Sequence, residues 1–477
     1  MTTSSLPETT DLPPLMKIAE GITLSELIGA LSYALDITEG QPAGHCVRCC
    51  WIGMHVGREL GLPEDQLWNL YYTLLLKDLG CSSNAARICE LYLTDDLHFK
   101  HDFKFVGESL PQVLRFVFQH TGIKAGLADR FRSVLTILRD GPQIAHELIA
   151  TRCQRGADIA RLLRFSETVA SGIYSLDEHY NGQGKPEGLA GNDIPLFSRI
   201  ALMSQVIDVF YTANGQDAAL QEVRSRSGQW FDPELVQVFE RVAQDKQFWA
   251  ALKSTDFETK LQALEPASYE VPVDDDYLDD IAAAFGQVVD SKSPYTSGHS
   301  ARVALYTDLI AEELGLSFER RRWLKRAALL HDVGKLGVSN SVLDKAGKLD
   351  IEEWDAVKLH ATYTEVILSR IGAFADLAKV AGAHHEKLDG TGYPRGTSAD
   401  QIPLETRIIT TADIFDAITA TRPYRGAIPI PRTLEMMAEN LDTAIDKHCF
   451  AALKSSLVKL NEISADEALK TGQFANP

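Results

Sequence analysis

The sequence predicts an all-α protein made of two tandem copies of one helical domain. Apolar residues recur at helical spacing over most of the chain, as in residues 299–316, where Val303, Tyr306, Ile310 and Leu314 fall on one stripe. The alternation of apolar and polar residues that marks a strand is scarce. Three blocks of sequence also occur twice in the same order, and two copies of one domain explain this.

The repeated blocks also locate an insertion. Each block of the first copy has a partner in the second, namely residues 45–62 with 299–316, 77–83 with 331–337, and 181–200 with 389–408. The first two pairs lie at an offset of 254 and the third at an offset of 208. Because the offset falls by 46, the first copy contains extra residues, which we expect between about residues 90 and 145.

Changes in composition mark the expected domain boundaries. The Thr, Ser and Pro content of residues 1–15 predicts a disordered N-terminus. Residues 265–280 contain two prolines, an acidic run and no apolar period, which predicts a linker. The first copy is therefore expected over residues 16–264 and the second over residues 281–477.

The overall composition excludes several classes of function. A formal net charge of -19 argues against binding to DNA or RNA polymers and to anionic membrane surfaces. The N-terminus is polar and no run of about 18 apolar residues appears, so neither a signal peptide nor a membrane span is expected. Seven cysteines, scattered and odd in number, fit a reducing cytoplasm better than a disulfide framework.

Pairs of histidines and carboxylates in the second copy predict a metal centre. His331 and Asp332 follow the apolar run AALL, so both are expected in a buried setting, where a carboxylate needs a cation or hydrogen-bond donors. The doublet His384-His385 repeats this pattern on another predicted helix, and Asp413 lies between apolar neighbours. Core packing alone is the ordinary explanation for one such residue, but it does not account for a cluster of them.

Two more histidines, His299 and His360, complete a set of seven nitrogen and oxygen ligands within 115 residues, although His299 alone would be an ordinary solvated helix cap. The absence of cysteine from the set favours iron or manganese, with nickel or zinc as alternatives. Two such ions about 3.5–4 Å apart would lower the pKa of a shared water and supply hydroxide at neutral pH. Lys335 would lie on the same helix face as His331 if the helix continues, and would assist a phosphoryl oxygen; otherwise it is an ordinary surface lysine.

Three motifs of the second copy resemble a known family. The runs HDVGK, HHEKLDGTGYP and ADIFDAITATRPYR closely resemble the HD-GYP phosphodiesterases, a branch of the HD phosphohydrolases, over about residues 280–450. The resemblance implies an all-α domain with two or three metal ions that hydrolyses cyclic di-GMP. It implies seven metal ligands, which are His299, His331, Asp332, His360, His384, His385 and Asp413.

The resemblance also implies roles for residues around the metals. Asp332 and Lys335 are expected to be catalytic. The substrate site is expected to include the GYP loop and two phosphate-contacting arginines, which are Gly392, Tyr393, Pro394, Arg422 and Arg425. A guanidinium suits bidentate phosphate contacts and would bring local positive charge to an acidic protein. Taken alone, the sequence DGTGYP is also an ordinary turn.

Two departures from the family pattern narrow the expectation. Tyr295 stands where members with three metals have a glutamate, and a phenol is a poor replacement, so two metals are expected. The family associates the third metal with complete hydrolysis to GMP, which leaves the linear dinucleotide pGpG as the expected product. Ala361 and Thr364 replace the usual Pro and Gly after the third-motif histidine, so His360 is the least secure ligand.

The expected function is thus hydrolysis of cyclic di-GMP to pGpG by hydroxide generated at two divalent metal ions. A phosphodiesterase for 3′,3′-cyclic GMP-AMP is the enzymatic alternative, since some tandem-domain relatives accept that substrate. A cyclic dinucleotide receptor or scaffold without turnover is the alternative from another class, although an unused centre need not keep all its ligand types.

The first copy has lost most of the ligand set. It retains His45 and Asp78, while the other positions become Lys77, Arg152, Leu176, Asp177 and Gln205. Fixed positive charge is expected where the metals would lie, with Lys77 and Arg152 pairing with Asp78 and Asp177. The first copy is expected to be a structural partner that packs on the second as a pseudo-dimer. A regulatory pocket for a nucleotide or another anion, and a homo-oligomer, are left open.

Overall fold

The computed structural model describes residues 22–105, 110–122, 126–266 and 271–460. Within these ranges the regular elements are helices and no strand is present, which confirms the predicted all-α fold. The segment predicted to be disordered, residues 1–15, lies outside the described residues.

The described residues divide into two compact units, one of residues 22–277 with 339–341, and one of residues 278–338 with 342–460. The first unit contains the helices α1 (Leu24–Thr38), α2 (His45–Glu59), α3 (Glu64–Leu76), α4 (Ala85–Tyr92), α5 (Asp96–Phe103), α6 (Leu110–His120), α7 (Leu127–Leu162), α8 (Glu167–Tyr174), α9 (Leu196–Asn214), α10 (Gln216–Ser225), α11 (Pro233–Val242), α12 (Lys246–Ala251) and α13 (Phe257–Gln262). The helices that follow are α14 (Asp275–Asp290), α15 (His299–Glu313), α16 (Phe318–Leu330), α17 (Asn340–Leu343), α18 (Ile351–Leu368), α19 (Ala375–Gly382), α20 (Leu404–Thr419), α21 (Ile430–Ala438) and α22 (Lys447–Lys459).

The predicted linker, residues 265–280, ends in a helix rather than in a loop. α14 begins at Asp275, and Tyr277 and Leu278 are buried. The acidic residues that suggested a linker include Asp275 and Asp276 in the first turn of α14, where carboxylates interact favourably with the helix dipole. This part of the acidic run therefore marks the start of a helix.

The same helices recur in both units in the same order. α2 and α15 begin 254 residues apart, as do α3 and α16, while α8 and α19 begin 208 residues apart, as do α9 and α20. The offset between α10 and α21 rises to 214, so the second unit has six more residues between the start of α20 and the start of α21. Because α20 also ends earlier than α9, the loop that follows α20 is the longer one. That loop contains the RPYR sequence.

The insertion in the first unit consists of α5, α6 and the first half of α7. At the offset of 208, α18 corresponds to residues 143–160, which form the C-terminal half of α7. The segment that precedes this half has no counterpart in the second unit, in agreement with the insertion predicted between about residues 90 and 145.

No described helix is long and apolar enough to cross a bilayer. All seven cysteines are free thiols, and six of them are buried. The predicted cytoplasmic location stays a prediction.

Candidate metal centre

The structure brings the seven predicted ligands together in the second unit. His299 begins α15, His360 lies in α18 and Asp413 in α20, while the two doublets follow α16 and α19. Their nitrogen and oxygen atoms form overlapping groups within 4.8 Å, which are His299 with His331 and Asp332, His331 with His384 and Asp413, and His360 with His384 and His385. The region where the groups overlap is the candidate metal centre.

The two doublets lie at helix ends, whereas the sequence suggested helix interiors. α16 ends at Leu330 and α19 at Gly382, so His331 and His384 stand just beyond the last helical turn. The last carbonyls of a helix lack partners within the helix. The side-chain Nδ1 of His331 bonds to the carbonyl of Ala328 at 2.7 Å, and that of His384 to the carbonyl of Ala381 at 2.6 Å.

This backbone contact orients the imidazole rings. His360 makes the same contact, with Nδ1 2.5 Å from the carbonyl of Val357. Because a carbonyl only accepts, Nδ1 carries the proton in each ring, and Nε2 presents its lone pair to the centre. Three imidazoles are thereby fixed in the tautomer that a metal ion requires.

Asp332 connects the two sides of the centre. Its Oδ2 lies 3.3 Å from Nε2 of both His299 and His331. Its Oδ1 lies 3.6 Å from Nε2 of both His360 and His384. Each oxygen thus faces a different pair of imidazoles, which is the arrangement expected of a carboxylate that bridges two ions.

His299 is oriented by a carboxylate that the sequence analysis did not identify. Its Nδ1 lies 2.7 Å from Oδ2 of Asp416, and Arg302 Nε donates to the other oxygen of Asp416 at 2.6 Å. Asp416 lies three residues after Asp413, and Arg302 three residues after His299, so both could have been found as one-turn neighbours of predicted ligands.

Three buried polar atoms of the centre have no hydrogen-bond partner, namely Nε2 of His299, Nε2 of His331 and Oδ1 of Asp332. A buried polar group without a partner is costly. All three atoms are of the kind that coordinates a divalent ion, and they face the same region. The residues present therefore fit a metal site.

Burial and charge divide the centre into two electrostatic environments. Burial lowers the pKa of His331, but Asp332 and Asp413 outweigh it and raise that pKa to about 10. Burial, with a smaller contribution from neighbouring histidines, lowers the pKa of His360 to about 4 and that of His385 to about 3. One side is thus rich in carboxylates, whereas the other is built of neutral imidazoles.

Lys335 reaches the centre by a route that differs from the predicted one. The helix does not continue past His331; instead residues Val333–Gly337 form a 3₁₀ turn. This turn places the Lys335 ammonium against Oδ2 of Asp332. Thr364, which replaces the usual glycine, supports the turn by donating to the carbonyl of His331 and accepting from the amide of Gly334.

The GYP loop lies against the imidazole side of the centre. The ring of Tyr393 stands 4.7 Å from that of His385, and the Tyr393 amide donates to the His385 carbonyl at 3.1 Å. A Cβ at Gly392 would collide with the backbone of Glu386 and Lys387, so close packing requires glycine there. The loop returns through Pro394 to the buried carboxylate of Glu386, which accepts from the backbone amides that follow.

Arg422 and Arg425 lie in the loop after α20, and both donate to carbonyls at its C-terminal end. Arg425 bonds to the carbonyls of Ala417 at 2.7 Å and Ile418 at 2.8 Å. Arg422 Nε lies 3.3 Å from the carbonyl of Ala417. These contacts hold the loop to the helix that carries Asp413, and the predicted contact of both arginines with phosphate stays a prediction.

Comparisons with known proteins agree with this geometry. The family model described as an HD domain matches residues 134–235 and 284–449, which is more than half of the chain. The 3′3′-cGAMP-specific phosphodiesterase 3 of Vibrio cholerae is 59% identical over 93% of this chain and 96% of its own length. A crystal structure of a cyclic GMP-AMP-specific phosphodiesterase of V. cholerae, 53% identical, covers 93% of this chain and 99% of that chain with a TM-score of 0.64. A cyclic di-GMP phosphodiesterase of Thermotoga maritima is 33% identical over 44% of this chain and 58% of its own length.

The chain belongs to the HD-GYP phosphodiesterase family. The predicted resemblance is confirmed, and so is the predicted enzyme class, a metal-dependent phosphodiesterase. Both matched segments of the HD domain fall in regions that the repeat relates, so the first unit is a degenerate copy of the same domain.

In the first HD-GYP copy a lysine ammonium stands in place of the metals. Lys77, which replaces His331, lies 3.1 Å from Nε2 of His45 and 3.1 Å from Oε1 of Gln205, and it pairs with Asp78. These partners occupy the positions of His299, Asp413 and Asp332. The predicted pairing of Lys77 with Asp78 is confirmed, and its side chain is fully buried.

A second ion pair occupies the positions that correspond to the other metal ligands. Arg152, which replaces His360, pairs with Asp177, which replaces His385. Both basic residues are thus engaged by carboxylates of the same unit, which favours the structural role of this copy over a pocket for an anion. The contact that orients His299 is retained, because Nδ1 of His45 lies 2.6 Å from Asp208, and Arg48 donates to the other oxygen.

Proposed function

We propose that the chain hydrolyses 3′,3′-cyclic GMP-AMP at a centre of two divalent metal ions in its second HD-GYP copy. The observation that carries the substrate is the 59% identity to a phosphodiesterase named for that dinucleotide, over 96% of the relative's length. The sequence motifs predicted cyclic di-GMP as the first candidate substrate, whereas the similarity to relatives favours 3′,3′-cyclic GMP-AMP.

Cyclic di-GMP has weaker support because relatives named for it match less of the chain. The Thermotoga maritima enzyme matches 44% of the chain at 33% identity. A match of that length covers about one copy, whereas the 3′3′-cGAMP-specific relative matches the tandem arrangement. We therefore treat cyclic di-GMP as the second candidate substrate, with pGpG as its product.

The ligand groups indicate which residues would hold the ions. His299, His331 and Asp413 with one oxygen of Asp332 form one set, and His360, His384 and His385 with the other oxygen form the second. Two divalent ions at such a centre lower the pKa of a shared water and neutralise charge on the phosphate. Iron and manganese suit these ligands best, with nickel and zinc as alternatives.

The residues of the chain bind and orient the substrate. The Lys335 ammonium, held beside Asp332, is placed to donate to a non-bridging phosphoryl oxygen and to stabilise charge that develops there. The ring of Tyr393, 4.7 Å from that of His385, is placed to contact the substrate. Arg422 and Arg425 lie in the loop after α20, which is longer than its counterpart in the first copy, and this supports a role tied to the intact centre.

The reaction is hydrolysis of one 3′–5′ phosphodiester bond. An oxygen of water forms a bond to phosphorus, the bond from phosphorus to the 3′ oxygen breaks, and that oxygen takes a proton. The product is a linear dinucleotide with one 5′ phosphate and one 3′ hydroxyl. Tyr295, in place of the glutamate associated with a third metal, supports this endpoint over complete hydrolysis to mononucleotides.

A substrate panel tests the proposal. The purified chain is loaded with Mn²⁺ or Fe²⁺, incubated separately with 3′,3′-cyclic GMP-AMP, cyclic di-GMP and cyclic di-AMP, and the products are separated by chromatography. We expect kcat/KM for 3′,3′-cyclic GMP-AMP to exceed the others at least tenfold. Equal or faster hydrolysis of cyclic di-GMP would reverse the substrate assignment, and no hydrolysis with full metal occupancy would favour a receptor or scaffold.

Two variants separate metal binding from substrate handling. Asp332→Ala should lose metal and activity together, because the residue faces both ligand sets. Lys335→Met should keep its metal content and lower kcat about 10²-fold to 10³-fold, as the loss of one electrostatic donor does in other enzymes. Lys345→Met is the matched control, since Lys345 also pairs with a carboxylate of the second unit, Glu353.

A further inference from the structure

The insertion of the first unit carries a cluster of three histidines around one carboxylate. His98, His101 and Asp102 belong to α5, and His120 is the last residue of α6. His98 and Asp102 are four residues apart and share a face of α5. The second unit has no counterpart of α5 and α6 among the described residues, so the cluster is separate from the candidate metal centre.

The distances in this cluster suit coordination. Nε2 of His98 lies 3.3 Å from Oδ2 of Asp102, and Nε2 of His120 lies 2.9 Å from the same oxygen. Two ligands about 2.1 Å from one ion are separated by about 2.9 Å at a right angle and about 3.4 Å at the tetrahedral angle. Ligand atoms of His98, Asp102 and His120 all lie within 4.8 Å of one another.

The two ring nitrogens of His120 face two acceptors, and a neutral imidazole can donate to only one of them. Its Nδ1 lies 3.0 Å from the carbonyl of Phe116, and its Nε2 lies 2.9 Å from Asp102, so both nitrogens face oxygens that only accept. A neutral ring has one N–H, which leaves one nitrogen lone pair directed at an acceptor. A cation between Nε2 and the carboxylate removes this conflict.

The orientation of His120 repeats that of the histidines in the candidate metal centre. There too, Nδ1 bonds to a backbone carbonyl of the preceding turn, and Nε2 is free to coordinate. The His120 ring also stacks on Phe116 at 4.1 Å, and Phe116 packs with Phe99 and Ile88 in a buried cluster. The ring is therefore held in place before any ion binds.

We propose that His98, Asp102 and His120 bind one divalent transition-metal ion that joins α5 to α6. Two imidazoles and one carboxylate favour Zn²⁺, Co²⁺ or Ni²⁺, with water at the remaining positions. His101 holds the other oxygen of Asp102, at 2.8 Å from Oδ1, and so orients the carboxylate. The side chain of His98 is 72% exposed, so the ion can enter from solvent and complete its ligand set with that residue.

Metal titration of the full chain tests this site. Protein without an affinity tag is stripped of metal and dialysed against 1–100 µM Zn²⁺ or Co²⁺, and bound metal is counted by mass spectrometry. We expect His98→Ala and His120→Ala each to bind one ion fewer per chain than the parent, or to weaken that ion at least 30-fold, with phosphodiesterase activity unchanged. Because His98 is exposed, His98→Ala should fold normally, as circular dichroism will check.

His55→Ala is the matched control. The Nδ1 of His55 bonds to the carbonyl of Trp51 one turn earlier, at 2.8 Å, and its ring packs on the Trp51 ring at 4.2 Å, as His120 does on Phe116. This variant should bind as much metal as the parent. Equal metal content in parent, His98→Ala and His120→Ala would overturn the proposal, as would binding that appears only at millimolar metal.

Discussion

Replacing Lys77 by methionine tests whether its ammonium substitutes for the lost metals of the first HD-GYP copy. The change removes the cation but keeps most of the side-chain volume. The described hydrogen-bond donors that fully buried Asp78 then retains are weak thiols, Cys46 at 3.5 Å and Cys81 at 3.6 Å, while Lys104 still contributes positive charge nearby. Gln205 and His45 each lose a partner at 3.1 Å.

The expected cost follows from the uncompensated carboxylate. Removing one partner of a buried ion pair lowers the free energy of unfolding by about 3–5 kcal/mol. At about 1.4 kcal/mol per factor of ten, this raises the opening equilibrium of the first unit roughly 150-fold to 5,000-fold. The double variant Lys77→Met/Asp78→Leu removes the stranded charge as well, so it should recover all but about 1–2 kcal/mol.

Hydrogen exchange measures this effect within the full chain. Peptides from α3 (Glu64–Leu76) report local opening of the first unit, and peptides from the equivalent helix α16 (Phe318–Leu330) are the internal control. Exchange in α3 should accelerate in Lys77→Met and return close to the parent rate in the double variant. A cost below about 1 kcal/mol, or no recovery in the double variant, would refute the substitution of metal by ammonium.

The pH dependence of this variant has a definite sign. Burial alone would raise the pKa of Asp78, but Lys77, together with Lys104 and His45, outweighs it and holds that pKa well below its usual range. The ion pair therefore stabilises the parent at every pH above about 4 and is lost only on further acidification. Without Lys77 burial dominates, the pKa rises, and protonation relieves the stranded charge, so the cost of Lys77→Met should be smaller at pH 5 than at pH 8.

Three further predictions concern the second unit. Asp416→Asn removes the charge that orients His299 and should weaken metal binding about 10-fold to 100-fold, measured by competition with a chelator. Trp354→Ala should raise KM for the dinucleotide about fivefold or more, because stacking on a base contributes about 1–3 kcal/mol. The half-exposed Trp354 ring stands 6.3 Å from that of Tyr393. Leu359→Ala, equally exposed on the same helix, should leave KM unchanged. Gly392→Ala should lower kcat/KM at least tenfold with metal content retained, since its Cβ meets backbone, whereas Gly347→Ala, which faces open space, should not.

The ligand set could be predicted from sequence because its residues come as adjacent pairs in apolar surroundings. The location of these pairs at helix ends could not be predicted, because the apolar periodicity runs up to His331 and His384 without a break. The helices end there, and each imidazole bonds to a carbonyl of the last turn, a contact that hydropathy does not record. The contact of Lys335 with Asp332 was missed for the same reason, because a 3₁₀ turn forms it where a continuing helix was expected.

The orienting residues were missed for a different reason. Asp416 and Arg302 act through His299, and their role depends on α15 and α20 lying side by side, which no local pattern specifies. The repeat nevertheless contained the information, since the first copy keeps this aspartate as Asp208 and this arginine as Arg48 while most ligands are lost. A comparison of what an eroded copy keeps would have identified them.

The geometry of the GYP loop does not distinguish an active copy of the domain from an inactive one. Its counterpart in the first copy has a similar hydrogen-bond pattern, although that copy has no metal ligand set. The Lys185 amide donates to the Asp177 carbonyl, and the carboxylate of Glu178 accepts from the amides of Glu187 and Gly188. The loop is thus part of how the domain folds and persists after the chemistry has gone. Counted by the backbone geometry of this loop, the chain would contain two hydrolases, whereas counted by its histidine ligands it contains one.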